Sequence, residues 1–504
     1  MQDEADTRRL RLIKNSLYGL ISWAFPIVPS LIATPIVLTG LGSESFGIYV
    51  LVLAFTSYFL TYGIGKIATK YIAEYRSTGE EAKISEILSA TILLTLCLSI
   101  GGTILLGIFA RSIVVDVLLI APEMIETAVT ALYVACSIIL IGSMSSIFQY
   151  VLQGLQRFDR YMLLANLSSI LLAAGNILVV YLGYGVVGIF LCNLAVTTFI
   201  SILAYAFIRK LLPDFKFTFR FGAASWNAVW RYALGIMGYQ LFGNVLFLFE
   251  RTWITRQLGS ETLTYYAVPM ALAMYIHLFT GNLVSAMFPV VNELLDDKVR
   301  LRNLYNKATK IILAFAAFAV ASGLIGGRLF LGQWLGEEFA VRAHTILSIH
   351  IFTFGILAAN PIVWQISEGF RRASINSFAT FFWMAVSIPL MIALSSSNGA
   401  EGIAIGRLVG SFIFIPLVFF IESRYVGGIS WSFWGSVAFR IIPSVAIAGA
   451  VEWLLLYSFE ASWAILLAAI LSGIVVYMAA LALSGFFTRD ERELLSRYIA
   501  GTHN

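Results

Sequence analysis

Three basic side chains, Arg251, Arg407 and Arg440, interrupt stretches that are otherwise apolar. An ionisable group in hydrocarbon is costly, so it faces a cavity, pairs with another group, or snorkels to an interface. Arg251 belongs to a stripe. Gln240, Asn244 and Arg251 stand at i, i+4 and i+11, on one face of a helix. Gln240 and Asn244 lie too deep to snorkel, so the stripe is expected to line a wet cavity. The alternative is that Arg251 snorkels or pairs with its neighbour Glu250. Arg407 either lines the same cavity or makes an ion pair across helices. A guanidinium offers an anion two parallel hydrogen bonds, so the implied chemistry is recognition of phosphate or carboxylate. His277 and Glu250 are the titratable candidates for coupling to an H+ or Na+ gradient. Snorkelling is the reading for Arg440, and an interfacial position for Glu452.

Nothing points to catalysis or to a cofactor. Cys97, Cys136 and Cys192 all lie in apolar stretches, and the four histidines have no metal-ligand spacing. The net charge of +5 is modest, with no nucleic-acid motif.

The elements that must hold these residues are membrane helices. Apolar residues make up 59% of the 504, charged residues 12%, and mean hydropathy is +0.87. A soluble chain would carry about twice that charge. Fourteen apolar stretches are long enough to span a bilayer: 15–38, 45–66, 87–110, 127–151, 162–182, 186–208, 232–254, 262–288, 308–331, 343–366, 373–394, 400–421, 437–457 and 463–486. In lipid the backbone must satisfy its own hydrogen bonds, so an all-α polytopic membrane protein is expected. Lys and Arg concentrate in alternate connections, and only Arg111, Arg256, Arg328 and Arg342 fall in the others. That asymmetry puts both termini in the cytoplasm.

The chain also repeats itself. Leu41-Gly42-Ser43-Glu44 recurs as Leu258-Gly259-Ser260-Glu261, and Tyr49 then matches Tyr266. Gly185-Val186-Val187-Gly188-Ile189 matches Gly399-Ala400-Glu401-Gly402-Ile403, and Asn193 matches Arg407. Six spans repeated with the same orientation imply a pseudo-twofold axis along the membrane normal, with the substrate site between the halves. The expected organisation is a six-helix half over 1–209, a cytoplasmic linker over 210–231, a second six-helix half over 232–424, and two appended helices with a tail over 425–504. Pro26, Pro29 and Pro35 suggest a bent, movable first span.

Three motifs carry a resemblance. They are Leu41-Gly42-Ser43-Glu44-Ser45-Phe46-Gly47-Ile48-Tyr49, Gln153-Gly154-Leu155-Gln156-Arg157-Phe158-Asp159-Arg160, and Trp334-Leu335-Gly336-Glu337-Glu338-Phe339. Together with span number and duplication, they resemble the polysaccharide-unit (O-antigen, Wzx-like) flippases of the multidrug/oligosaccharidyl-lipid/polysaccharide exporter superfamily. The resemblance implies an inner-membrane protein that moves sugars on polyprenyl pyrophosphate from the inner to the outer leaflet by alternating access. Membrane lipids and the lipid-linked oligosaccharide would be its partners. Lipid II flippases and the drug/cation antiporters of the superfamily are the alternatives. A membrane glycan polymerase or ligase is a third, disfavoured because the outer connections are short.

Overall fold

The computed structural model describes residues 25–60, 64–78, 80, 82–213, 215, 217–218, 222–285, 291, 294–370 and 372–487. Among them, regular structure is helical throughout. The helices are α1 (Ile27–Leu41), α2 (Ser43–Leu60), α3 (Gly65–Thr78), α4 (Ala82–Ser112), α5 (Ile125–Gly154), α6 (Phe158–Tyr181), α7 (Gly185–Leu211) and α8 (Ala223–Leu258). They continue with α9 (Ser260–Ser285), α10 (Lys298–Leu335), α11 (Glu337–Ala358), α12 (Pro361–Gly369), α13 (Ala373–Ser411), α14 (Phe414–Tyr425), α15 (Trp431–Ser458) and α16 (Trp463–Leu483).

Ten helical stretches among the described residues are long and apolar enough to cross a membrane. One of them, Ala373–Tyr425, covers two of the fourteen expected spans. The start of the first expected span and both chain termini lie outside the described residues. So do Lys216, Arg220, Arg371, Arg489, Arg492 and Arg497, which entered the charge argument.

Local chemistry explains where the helices break. Gly42 and Gly259, the glycines of the duplicated motif, end α1 and α8 in nearly one conformation, at φ 78°, ψ 158° and φ 86°, ψ 163°. An L side chain rarely adopts such a φ. In each case the next helix starts at the following serine. Pro361 opens α12, where its missing N–H costs nothing, and this divides the expected span 343–366. Helix α13 is two helices joined at Gly399 (φ 54°, ψ −132°), which matches the expected boundary between 373–394 and 400–421. The expected connection after 45–66 contains a helix instead. In α3, Ile67, Ala68 and Ile72 are buried while Lys66 and Lys70 face out. This is an amphipathic helix that hydropathy alone could not see.

Two compact units divide the chain: Met1–Ala267 with Arg372–Gly410, and Val268–Arg371 with Ser411–Asn504. These cut the chain elsewhere than the duplication does. In the first, α5 packs on α4 and α7, and α6 on α7 and α1. Its core joins Ile72, Leu88, Val151, Leu164 and Ala204 from five helices. Ile104, Leu105 and Ile108 of α4 are exposed, as suits a face solvated by lipid. In the second unit, α10 packs on α11, α15 and α16.

Candidate functional site

Helix α8 supplies the centre of the site. Glu250 is fully buried there, beside Arg251, which is 5% exposed. An isolated carboxylate in such a place would be strongly penalised. Three groups offset that cost. Arg407 of α13 donates Nη1 to its Oε2 at 2.5 Å. Tyr266 of α9 donates its hydroxyl to Oε1. The Arg251 guanidinium lies 3.8 Å from Oε2. All four residues belong to the first compact unit.

Arg407 is held in place by its own helix pair. Trp383 donates its indole N–H to the Arg407 carbonyl at 3.3 Å, and the Arg407 guanidinium lies 4.9 Å from the Trp383 ring centre. After Gly399 the chain folds back, and Gly402, Gly406 and Gly410 form a smooth stripe at four-residue spacing. A Cβ on Gly406 would meet the Met391 backbone at 2.7 Å, and one on Gly410 would strike Ser387. Small residues in this pattern allow membrane helices to approach closely. Here they fix the register that aims Arg407 at Glu250.

A cavity of about 190 Å³ adjoins the cluster. Asn244 and Phe247 of α8 line it with Ala54, Ser57 and Tyr58 of α2 and with Arg407. Of the stripe expected from the sequence, Asn244 thus faces a cavity. Arg251, one turn beyond Phe247, is not among the described lining residues. Its guanidinium stacks on the Phe247 ring, 3.2 Å from the centre, and donates to the Phe247 carbonyl at 3.3 Å. Phe247 thus both contacts Arg251 and lines the cavity. Gln240, half-buried, is also absent from the described lining.

Of the two proposed coupling groups, Glu250 sits in this cluster. His277 belongs to the second compact unit, where its Nδ1 lies 3.0 Å from the Leu357 carbonyl. Tyr266, Trp383, Phe247 and Tyr58 were not singled out from the sequence as site residues. Only Tyr266 carried a signal, through its match to Tyr49. Arg440 and Glu452 belong to the second compact unit. Glu452 is buried, with Ser322 donating to it at 2.7 Å. Among the described residues, no three His, Cys, Asp or Glu side chains group as a metal site would require.

This arrangement sets two guanidiniums against one carboxylate beside a small cavity whose lining is mainly apolar, with polar groups from Ser57, Asn244 and Arg407. A guanidinium so placed can donate paired hydrogen bonds to an anion. Comparison with known proteins bears on the family and the fold. A family model described as "Polysaccharide biosynthesis protein" matches residues 12–295. The "Putative O-antigen transporter" of Shigella flexneri is 22% identical over 412 residues, covering 79% of this chain and 94% of its own length. Among solved structures, the lipid II flippase MurJ in an inward closed conformation has a TM-score of 0.75 at 15% identity, over 94% of this chain and 99% of its own. An inward-facing multidrug resistance MATE family transporter has a TM-score of 0.69 at 17% identity, over 81% and 98%. The two structures share the fold with this chain. The chain belongs to the polysaccharide biosynthesis protein family.

Proposed function

We propose that this protein carries lipid-linked oligosaccharide, as polyprenyl-pyrophosphate sugar, from the inner to the outer leaflet by alternating access. The carrying observation is Arg407, which meets Glu250 on one side and lines the cavity with Asn244 on the other. A pyrophosphate leaving water must find cationic donors, and a planar guanidinium supplies them in matched pairs. The carboxylate holds the guanidinium in place before cargo arrives, so little ordering is left for binding to drive. Fourteen spans, a pseudo-twofold axis along the membrane normal and cytoplasmic termini complete the reading. The polyprenyl tail needs no tunnel, because it can remain in lipid. Net movement draws on a gradient of H+ or Na+, with Glu250 the coupling candidate inside the cluster.

A lipid II-type cargo is the second reading. Its support is the coverage of 94% of this chain by the lipid II flippase fold, against 81% by the multidrug transporter. Both readings share the polyprenyl pyrophosphate and differ in the group it carries.

The test is complementation of a deletion strain, scoring surface glycan and inner-leaflet glycolipid. Wild-type chain should clear the glycolipid and restore the glycan, while Arg407→Ala at equal membrane abundance should do neither. Ethidium export with unchanged glycan would overturn the reading in favour of a drug antiporter. Cysteine labelling that put position 300 outside the cell would overturn the orientation.

A further inference from the structure

The duplicated sequence pairs Asn193 with Arg407 and Tyr49 with Tyr266. Tyr49 and Asn193 line one cavity, whereas Tyr266 bonds the carboxylate that Arg407 holds. The first pair lacks the charge of the second. Its cavity is about 420 Å³ in volume and bounded by α1, α2, α6 and α7. Ser30, Thr34, Ser168, Ser169 and Asn176 contribute its other polar groups. No carboxylate, amine or guanidinium is among the described residues that line it.

Several polar groups of this cavity offer hydrogen-bond acceptors beside the amide and hydroxyl donors of Asn176, Asn193 and Ser168. Asn176 and Asn193 are both 8% exposed, and no described protein group donates to either Oδ1. Thr34 gives its hydroxyl hydrogen to the Ser30 carbonyl at 2.8 Å, and Ser169 gives its own to the Pro26 carbonyl at 3.3 Å. Both hydroxyls then present only lone pairs to a ligand. A phosphate, which is itself an acceptor and needs a counter-charge, is unsuited to such a site. A sugar hydroxyl donates as well as accepts, and Phe46 and Tyr49 offer apolar surface to the C–H face of a ring. Ligand sites have volumes of about 300–1,000 Å³, so this one suits a small cyclic group.

The two cavities share a wall. Leu53 lines the neutral one, and Ser57, one turn further along the same face of α2, lines the one with Arg407. We propose that the neutral cavity binds one uncharged sugar ring of the cargo, while the Arg407 cavity takes the phosphate. Asn176 and Asn193 are its principal hydrogen-bond acceptors. The assignment rests on the lipid-linked cargo proposed above.

The test uses the full chain in nanodiscs and two probes, polyprenyl pyrophosphate and the same lipid carrying one N-acetylhexosamine. Wild type should bind the sugar-bearing probe roughly tenfold more tightly, the scale of one or two buried hydrogen bonds. Asn176→Leu and Asn193→Leu should erase that preference. Thr34→Val, which keeps shape and removes one hydroxyl, should narrow it if the leucine variants fail to fold. Equal binding of both probes by wild type, or an undiminished preference in folded variants, overturns the sugar site and leaves the flippase reading standing. Binding of neither probe overturns the flippase reading and this site with it. A preference that follows Na+ concentration rather than the sugar makes the cavity a cation site and overturns the assignment.

Discussion

Glu250 and Glu422 are each sealed from solvent, and each meets an arginine, but their surroundings differ in kind. Glu422 accepts the Ser430 N–H at 3.0 Å and the Trp434 indole N–H at 2.7 Å, with Arg302 3.9 Å away. Arg302 in turn binds the Val426 carbonyl at 3.0 Å and the Gly428 carbonyl. These partners lie in α10, in the turn between α14 and α15, or in the first turn of α15, so the cluster is a clasp. Glu250 holds Arg407 by a shorter contact, and Arg407 also lines a cavity. A buried ion pair is by itself weak evidence for function. What separates the two is that one guanidinium is held by its carboxylate while reaching a space where a ligand can sit.

The harshest way to break this comparison is at Arg407. Removing it leaves Glu250 buried without its shortest partner, which should cost about 3–5 kcal/mol as well as transport. Loss of export by Arg407→Ala alone therefore does not separate clasp from site. The triple variant Glu250→Leu, Arg251→Met and Arg407→Met does, because it removes every charge of the cluster. Apolar replacement of a whole buried charge cluster is often neutral or stabilising by about 1–4 kcal/mol. Thermal unfolding should recover while export stays absent. Export by the triple variant would make Glu250–Arg407 a clasp like Glu422–Arg302.

Glu422 gives the converse expectation. Glu422→Gln keeps the shape but weakens charge-assisted bonds, and it should cost about 1–3 kcal/mol of stability. Export per folded molecule should remain at the wild-type level. A drop in export with unchanged unfolding temperature would show that the clasp also moves during transport.

Helices were the most legible part of the sequence, because crossing lipid imposes length and composition together. The breaks were legible where they rest on backbone chemistry, as at Gly42, Gly259 and Gly399. They were missed where a polar helix follows an apolar one, as at α3, because hydropathy reads only the apolar part. The site was legible as a set of costly residues. Arg407, Glu250 and Asn244 all came from asking why polar groups sit in apolar stretches, and the structure brings these three to one place. Their partners were not legible. Nothing in the spacing of Trp383 or Phe247 distinguishes a ring that supports a guanidinium from one that meets lipid. Nor does a one-dimensional stripe say which member looks into a cavity when an aromatic residue stands one turn away.

Arg251 is the finest test of that last point. Its position at i+11 in the stripe made it the leading cargo-binding candidate, yet its guanidinium lies on Phe247, near Glu250 and outside the described lining. Two roles remain distinct in what they require. A group that grips phosphate needs the planar fork, so Arg251→Lys would lose most of the binding. A group that balances Glu250 and props Phe247 needs charge and some stacking, both of which Lys keeps in part, since an ammonium over an aromatic ring is also attracted. The second role fits the contacts. Arg251→Lys should therefore lower export only a few-fold, with a modest fall in unfolding temperature, and Phe247→Leu should lower it by a similar factor. Arg251→Ala should cost more, through the carboxylate it leaves less balanced, but less than Arg407→Ala. Export by Arg251→Lys as low as by Arg407→Ala, at normal stability, would return Arg251 to the cargo face and show that Phe247 moves aside when the transporter changes state.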